Sequence, residues 1–210
     1  MSGRPRDRAS LDAVRRLETR LEGPLLIEPT VRGDGRGFFL ESYRRETMAD
    51  LGVDVDFVQD NHSRSARGVV RGMHFQVGDG QAKLVRCARG SVLDVLVDLR
   101  RGSPTFGEWE GHELTDENGH QVFAPVGFAH GFCVTSDVAD VAYKCSSYYA
   151  PEVERGIAYD DPDVGIEWPE DIELLVSERD RTAPRLKDVA GELPFVHEPG
   201  PAGQFWHRAV

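Results

Sequence analysis

A period of two that keeps returning between turn residues is the feature that most restricts this chain. In "SVLDVLVDL" (residues 91–99), Leu93, Val95, Val97 and Leu99 alternate with Val92, Asp94, Leu96 and Asp98. Side chains along a strand point to opposite faces in turn, so the pattern predicts a strand with one buried and one partly polar face. Similar short segments recur at about 24–31, 37–43, 56–60, 68–76, 82–88, 106–114, 120–124, 131–136 and 139–147. Gly, Pro, Asn and Asp separate them, in "RGDGRG", "VGDGQ", "RRGSPTFG", "DENG" and "PVG". Short strands with turn signals about every 8–12 residues predict an all-β fold, a double-sheet jelly roll with a ligand cavity between its sheets.

Two segments break the alternation. "RRETMADLG" (44–52) reads as a short helix closed by Gly52. In "SLDAVRRLETRL" (10–21), Leu11, Val14, Leu17 and Leu21 have near-helical spacing behind a possible Ser10 cap, which predicts a second short helix. With 210 residues the chain is long enough for one domain with a full core. Residues 1–22 then form an N-terminal extension, partly helical or disordered. Residues 23–188 form the jelly-roll domain, and 189–210, rich in Pro and Gly, form a loosely packed tail.

Charge and composition exclude several function classes. Against 36 Asp and Glu stand 25 Lys and Arg, a formal net charge of −11. A surface of that sign repels a polyanion, which argues against a nucleic-acid binder but leaves a small phosphate ligand open. No run of about 18 apolar residues is present to span a membrane. The polar, arginine-rich start "MSGRPRDRAS" is not a secretory signal. Cys87, Cys133 and Cys145 lack metal-type spacing and sit in apolar stretches. They read as reduced, buried thiols of a cytoplasmic protein.

Chemistry enters in "GVVRGMHFQ" (68–76), where Arg71 and His74 interrupt a run that should be buried. "PVGFAHGF" (125–132) delivers a second imidazole, His130, after a tight turn. Two histidines facing one cavity suit a metal or acid–base work. The metal reading needs further His or Glu ligands, and two residues after His74 stands Gln76, a poor ligand for zinc or iron. The acid–base reading needs a carboxylate to fix the imidazole tautomer and a cation where negative charge develops. Many carboxylates could serve, and spacing does not choose among them. Lys83 in "GQAKLV" is a candidate cation, though a solvated surface lysine is the plainer reading. Tyr143, Tyr148 and Tyr149 in "VAYKCSSYYAP" are core or stacking candidates.

These residues, in this order, resemble the dTDP-4-dehydrorhamnose 3,5-epimerases, sugar-nucleotide epimerases of the cupin-like jelly-roll class with short flanking helices. The likeness runs from about residue 24 to 188. It rests on "DGRGFFLESY", "FVQDNHSRS", "GVVRGMHFQ", "QAKLVRCARGSVLDVLVDLR", "GSPTFGEW", "PVGFAHGF", "YKCSSYYAPEVERGI", "DPDVGIEWP" and "SERDRTAP". The resemblance implies that His74 is the base, Asp180 its orienting carboxylate, Lys83 a cation near the sugar's C4 oxygen, and Tyr143 the proton donor on the opposite face. It implies that Arg71 and His130 line the same pocket, with Arg71 toward the diphosphate. Tyr149 is implied to stack on thymine, and Arg36, Phe39, Gln59 and Asn61 to bind the nucleotide from a neighbouring subunit of a homodimer. No metal or redox cofactor is implied. Relatives that invert only C3 or only C5 share nearly the same residues, so a mono-epimerase is the alternative. A non-catalytic sugar-nucleotide binder would be expected to lose the base, its partner or the donor. A 3,4-ketoisomerase would have less use for Tyr143.

Overall fold

The alternation predicted from sequence becomes two facing sheets because each strand has one apolar row to bury. The computed structural model describes residues 14–198. Its strands are β1 (Arg15–Leu17), β2 (Leu25–Glu28), β3 (Val31–Asp34), β4 (Gly37–Leu40), β5 (Gln59–Ala66), β6 (Val69–Gln76) and β7 (Lys83–Arg89). There follow β8 (Ser91–Asp98), β9 (Trp109–Thr115), β10 (Gln121–Ala124), β11 (Phe128–Val134), β12 (Val138–Cys145), β13 (Glu154–Gly156) and β14 (Leu175–Val176). Helices α1 (Arg45–Asp50), α2 (Glu178–Arg181) and α3 (Leu186–Val189) are short.

One sheet runs β1-β2-β10-β7-β12-β5 and the other β13-β6-β11-β8-β9, with β14 parallel to β6 and β3–β4 a separate hairpin. Between the sheets, Val85, Cys87, Val122 and Val141 of the first meet Val92, Leu96, Leu114, Phe132 and Val134 of the second. This is the expected all-β double-sheet architecture.

Three expectations need correction. Residues 15–17 are a strand, not part of a helix, paired with β2 from Arg15↔Glu28 to Leu17↔Leu26; residues 10–13 lie outside the described residues. Val14 and Leu21 do not share one helical face but enter two different apolar clusters. The turn "RGDGRG" is the tip of a hairpin whose strand β3 begins at Val31. The segment expected at 56–60 is β5, which runs on to Ala66 along polar residues. β8 has the two faces expected of it, with Asp94 and Asp98 on the side of Val92 and Leu96 and the other side wholly apolar. Val95, Val97 and Leu99 pack under Ile157, Leu186, Leu193 and Phe195 from the C-terminal segment. Close contact therefore continues beyond residues 23 and 188, since Leu21, Leu193 and Phe195 are all buried. The helix expected at 44–52 is α1, ending at Gly52 with a positive φ of 101°. All three cysteines are free and buried, and burial pushes the Cys87 and Cys133 thiols up to about 11, which keeps them protonated and inert.

One irregularity shapes everything that follows. Opposite β6, His130 pairs with His74, but Phe132, two residues on, pairs with Arg71, three residues back. The bulge gives β6 one extra residue at Gly72 and Met73. In an unbroken strand, positions 71 and 74 would point to opposite faces; the extra residue restores them to the same one. Backbones come very close here: a Cβ on Gly131 would lie 2.8 Å from the Arg71 carbonyl oxygen and 2.6 Å from Met73 Sδ. Gly131→Ala should therefore force the two strands apart, with a loss of about 1–3 kcal/mol in urea unfolding and a disproportionate fall in activity. Unchanged stability and activity would show that the close approach is dispensable.

Candidate active site

A cavity of about 800 Å³ opens between the sheets. Arg71 and His74 of β6, His130 of β11, Lys83 of β7, Tyr143 of β12 and Asp180 of α2 all line it. Six of the residues singled out from sequence are thus brought together, with imidazoles on one sheet and amine and phenol on the other.

The His74–Asp180 pair is built from two distant stretches. Ser177 caps α2, its Oγ accepting from the Asp180 N–H at 3.1 Å, and the turn carries the carboxylate under β6. There His74 Nε2–H donates to Asp180 Oδ1 at 2.7 Å. Burial opposes the charge on Asp180, but the His74 hydrogen bond and charge and the Gly72 N–H outweigh it and hold the carboxyl below its usual range. An ionised acceptor on Nε2 leaves Nδ1 as the unprotonated nitrogen, the one able to act as base. His130 forms a second such pair, Nε2–H donating to the fully buried Asp94 at 2.8 Å. It stands directly opposite His74 in the register.

On the facing sheet, burial lowers the pKa of Lys83, and the pull of Cys145, Glu154 and Asp94 offsets only part of this. Burial raises that of Tyr143, with Arg71 and Asn61 working against it, so the phenol keeps its proton. Arg71 Nε donates to Ser65 Oγ at 3.0 Å, which steadies the guanidinium and leaves its outer N–H groups for an anion.

The nucleotide candidates divide. Gln59 and Asn61, on β5, are joined at 3.1 Å, and Gln59 Oε1 accepts the Tyr149 N–H of the same chain at 2.9 Å. Asn61 reaches Cys145 on β12, beside Tyr143. Neither lines the cavity itself, but Gln59 holds the Tyr149 backbone and Asn61 stands across from Tyr143 in the β5–β12 register. Tyr149 is 53% exposed at its edge. Arg36 and Phe39 are elsewhere, on the β3–β4 hairpin, where Phe39 is 71% exposed and Arg36 pairs with Asp34.

Sequence reasoning missed Glu154 and Arg179, which also line the cavity. Arg179 pairs with Glu154 at 2.6 Å, and the same carboxylate oxygen accepts the Tyr149 hydroxyl at 3.0 Å. Both residues lie inside quoted motifs, "APEVERGI" and "SERDRTAP", beside residues that were singled out. The available signal was a charge of each sign next to those positions. Behind the dyad lies a second cavity of about 510 Å³, walled largely by apolar residues such as Phe75, Ile157 and Leu193. Among the described residues, no three His, Cys, Asp or Glu side chains are grouped so as to hold a metal ion.

Comparison with known proteins agrees with this geometry. Residues 18–188 match the family model described as dTDP-4-dehydrorhamnose 3,5-epimerase. The Pseudomonas aeruginosa protein of that name is 53% identical over 174 residues, covering 81% of this chain and 96% of that protein. A dTDP-4-dehydrorhamnose 3-epimerase from Streptomyces niveus is 46% identical over 178 residues, covering 83% and 86%. The structure of a dTDP-6-deoxy-D-glucose-3,5-epimerase from Legionella pneumophila, in complex with dTDP-4-keto-L-rhamnose, superposes with a TM-score of 0.86. Its identity is 45%, covering 89% of this chain and all of that one. Fold, cavity and sequence point the same way: the chain belongs to the dTDP-4-dehydrorhamnose 3,5-epimerase family.

Proposed function

We propose that this protein inverts C3 and C5 of dTDP-4-dehydro-6-deoxy-D-glucose to give dTDP-4-dehydro-L-rhamnose. The observation that carries the reading is one cavity with an imidazole–carboxylate pair on one sheet and a protonated phenol on the other. A C4 ketone acidifies the hydrogens on C3 and C5, because the carbanion delocalises into an enolate. His74 removes a proton, and Asp180 stabilises the imidazolium that results. Lys83 stabilises the oxyanion that develops on O4, in a setting where burial strengthens its field. Tyr143 returns a proton from the opposite face, and the centre inverts. Only protons move, so the reaction balances without an oxidant or reductant. Arg71 holds the diphosphate, His130 lines the sugar pocket, and Tyr149 stacks on thymine.

The protein acts, in this reading, as a homodimer. Supporting it, the β3–β4 hairpin leaves Val31, Phe38 and Phe39 exposed, which is costly for a free monomer. We assign Arg36 and Phe39 to the partner's nucleotide and Gln59 and Asn61 to their own chain's. No helix among the described residues is long and apolar enough to cross a membrane. A nucleotide-sugar substrate and three free thiols fit the cytoplasm.

Deuterium exchange at C3 and C5 of dTDP-4-dehydro-6-deoxy-D-glucose in heavy water, read by NMR, tests the reading and its regiochemistry together. Label and inversion at only one carbon would make it a mono-epimerase, as the Streptomyces niveus relative is named. His74→Ala should abolish both exchange and inversion, a loss of ~10²–10⁴-fold or more. Tyr143→Phe should keep exchange while losing inversion, because His74 can return a deuteron to the face it came from. Normal inversion in Tyr143→Phe would remove Tyr143 as the donor.

A pH profile tests Lys83. Its pKa is lowered by burial, so the ammonium is lost on raising the pH at a point below that of free lysine. Activity should fall on that alkaline limb, and Lys83→Arg should move the fall to higher pH. An unmoved limb would show that another group sets it.

Sedimentation should report a dimer, and Phe39→Asp should shift it toward monomer with a raised KM. A fully active monomer would contradict the assignment of Arg36 and Phe39 to a partner's site.

A further inference from the structure

Gln76 is the residue that spoils a metal site, and its amide has another use. It lies on β6 two residues after His74, is only 5% exposed, and is not among the residues lining the cavity. Its Oε1 accepts the Ala150 N–H at 3.0 Å, while its Nε2 donates to Ser147 Oγ at 3.3 Å and to the Tyr148 carbonyl at 3.4 Å. These partners bracket Tyr149 on both sides. Only one orientation of the amide satisfies them, since the oxygen must face an N–H and the nitrogen a carbonyl.

We infer that Gln76 is a positioning residue for nucleotide binding, acting through Tyr149. The inference rests on the proposed role of Tyr149 as the platform for the base. An exposed aromatic ring on a turn gains little from stacking if binding must first order the turn, so fixing the backbone beforehand favours affinity. Gln76 is suited to this because it is buried and stands on a central strand. Gln59 on the Tyr149 N–H and Gln81 on the Ser147 carbonyl at 2.9 Å complete the clamp. The strand that presents the base His74 also sets the position of the ring. The distance between base-stacking surface and reacting carbons is then a property of β6.

The test is a double-mutant cycle read by calorimetric titration with dTDP and by steady-state kinetics. Gln76→Met keeps length and removes all three hydrogen bonds. It should raise the Kd for dTDP and the KM about tenfold, the order expected for losing about 1.4 kcal/mol of hydrogen bonding, with kcat within about twofold. In a Tyr149→Ala background the same substitution should change dTDP affinity no further. Gln76→Glu, which keeps the acceptor for Ala150 and loses the donor, should lie between; it carries the cycle if Gln76→Met does not fold. Unchanged dTDP affinity, or an equal loss in the Tyr149→Ala background, would overturn the inference. Tyr149→Ala that itself binds dTDP normally would overturn the platform role, and the inference with it, whatever Gln76 does.

Discussion

The bulge between β6 and β11 is the constraint on which the site depends. Strand geometry allows one cavity-facing side chain in every two, and Arg71 and His74 are an odd number apart. Without the extra residue, one of them would point into the apolar layer beneath the C-terminal segment, with Met73 and Phe75. With it, the guanidinium and the imidazole share a face, and so does Gln76. Facing glycines permit this, since a Cβ on Gly72 would come within 2.5 Å of Gly131 Cα. A backbone device thus does what side-chain choice alone could not.

Burial is the second constraint, and it acts on each charged group differently. Asp180 and Asp94 are both shielded from water, a cost that a lone carboxylate would meet by taking up a proton. Each accepts a histidine N–H, which for Asp94 serves Oδ2 and leaves Oδ1 without a partner. Lys83 and Tyr143 on the opposite sheet are shifted by the same desolvation in opposite senses, the amine toward neutrality and the phenol away from ionisation. One low-dielectric space therefore favours easy proton exchange at the amine and retention of the proton at the phenol.

What could be read from sequence follows from which signals are local. Strands β7, β8, β10 and β12 carry apolar alternation of their own and were legible, because the residues facing the opposing sheet recur every second position. β5, "QDNHSRSA", was read only at its start: its inward residues serve a polar cavity and its outward ones solvent, so no apolar period exists. Arg15–Leu17 is too short to show any period, and its strand state comes from an edge pairing with β2 that no local pattern encodes. The dyad's carboxylate lies 106 residues from His74, so only the resemblance could join them. Glu154 and Arg179 stayed hidden for a related reason. Their meaning lies in meeting each other and Tyr149, a meeting of β13 with α2 that a charge at either position alone does not announce.

The double sheet also explains why this architecture suits inversion. To invert a centre, a proton must leave one side of a planar enolate and arrive from the other. Within a single sheet, side chains on one face all approach a bound sugar from the same side. Two sheets with a gap between them supply two opposed walls, and the facing strands β6 and β12 place an imidazole on one and a phenol on the other. The bulge fixes the first wall's register, and the β7–β12 pairing fixes the second, bringing Tyr143 opposite Val85 on the strand that begins with Lys83. The opposed placement is then set by the spacing and parity of strands, so a shift of one residue in either sheet would take His74 or Tyr143 out of the cavity altogether.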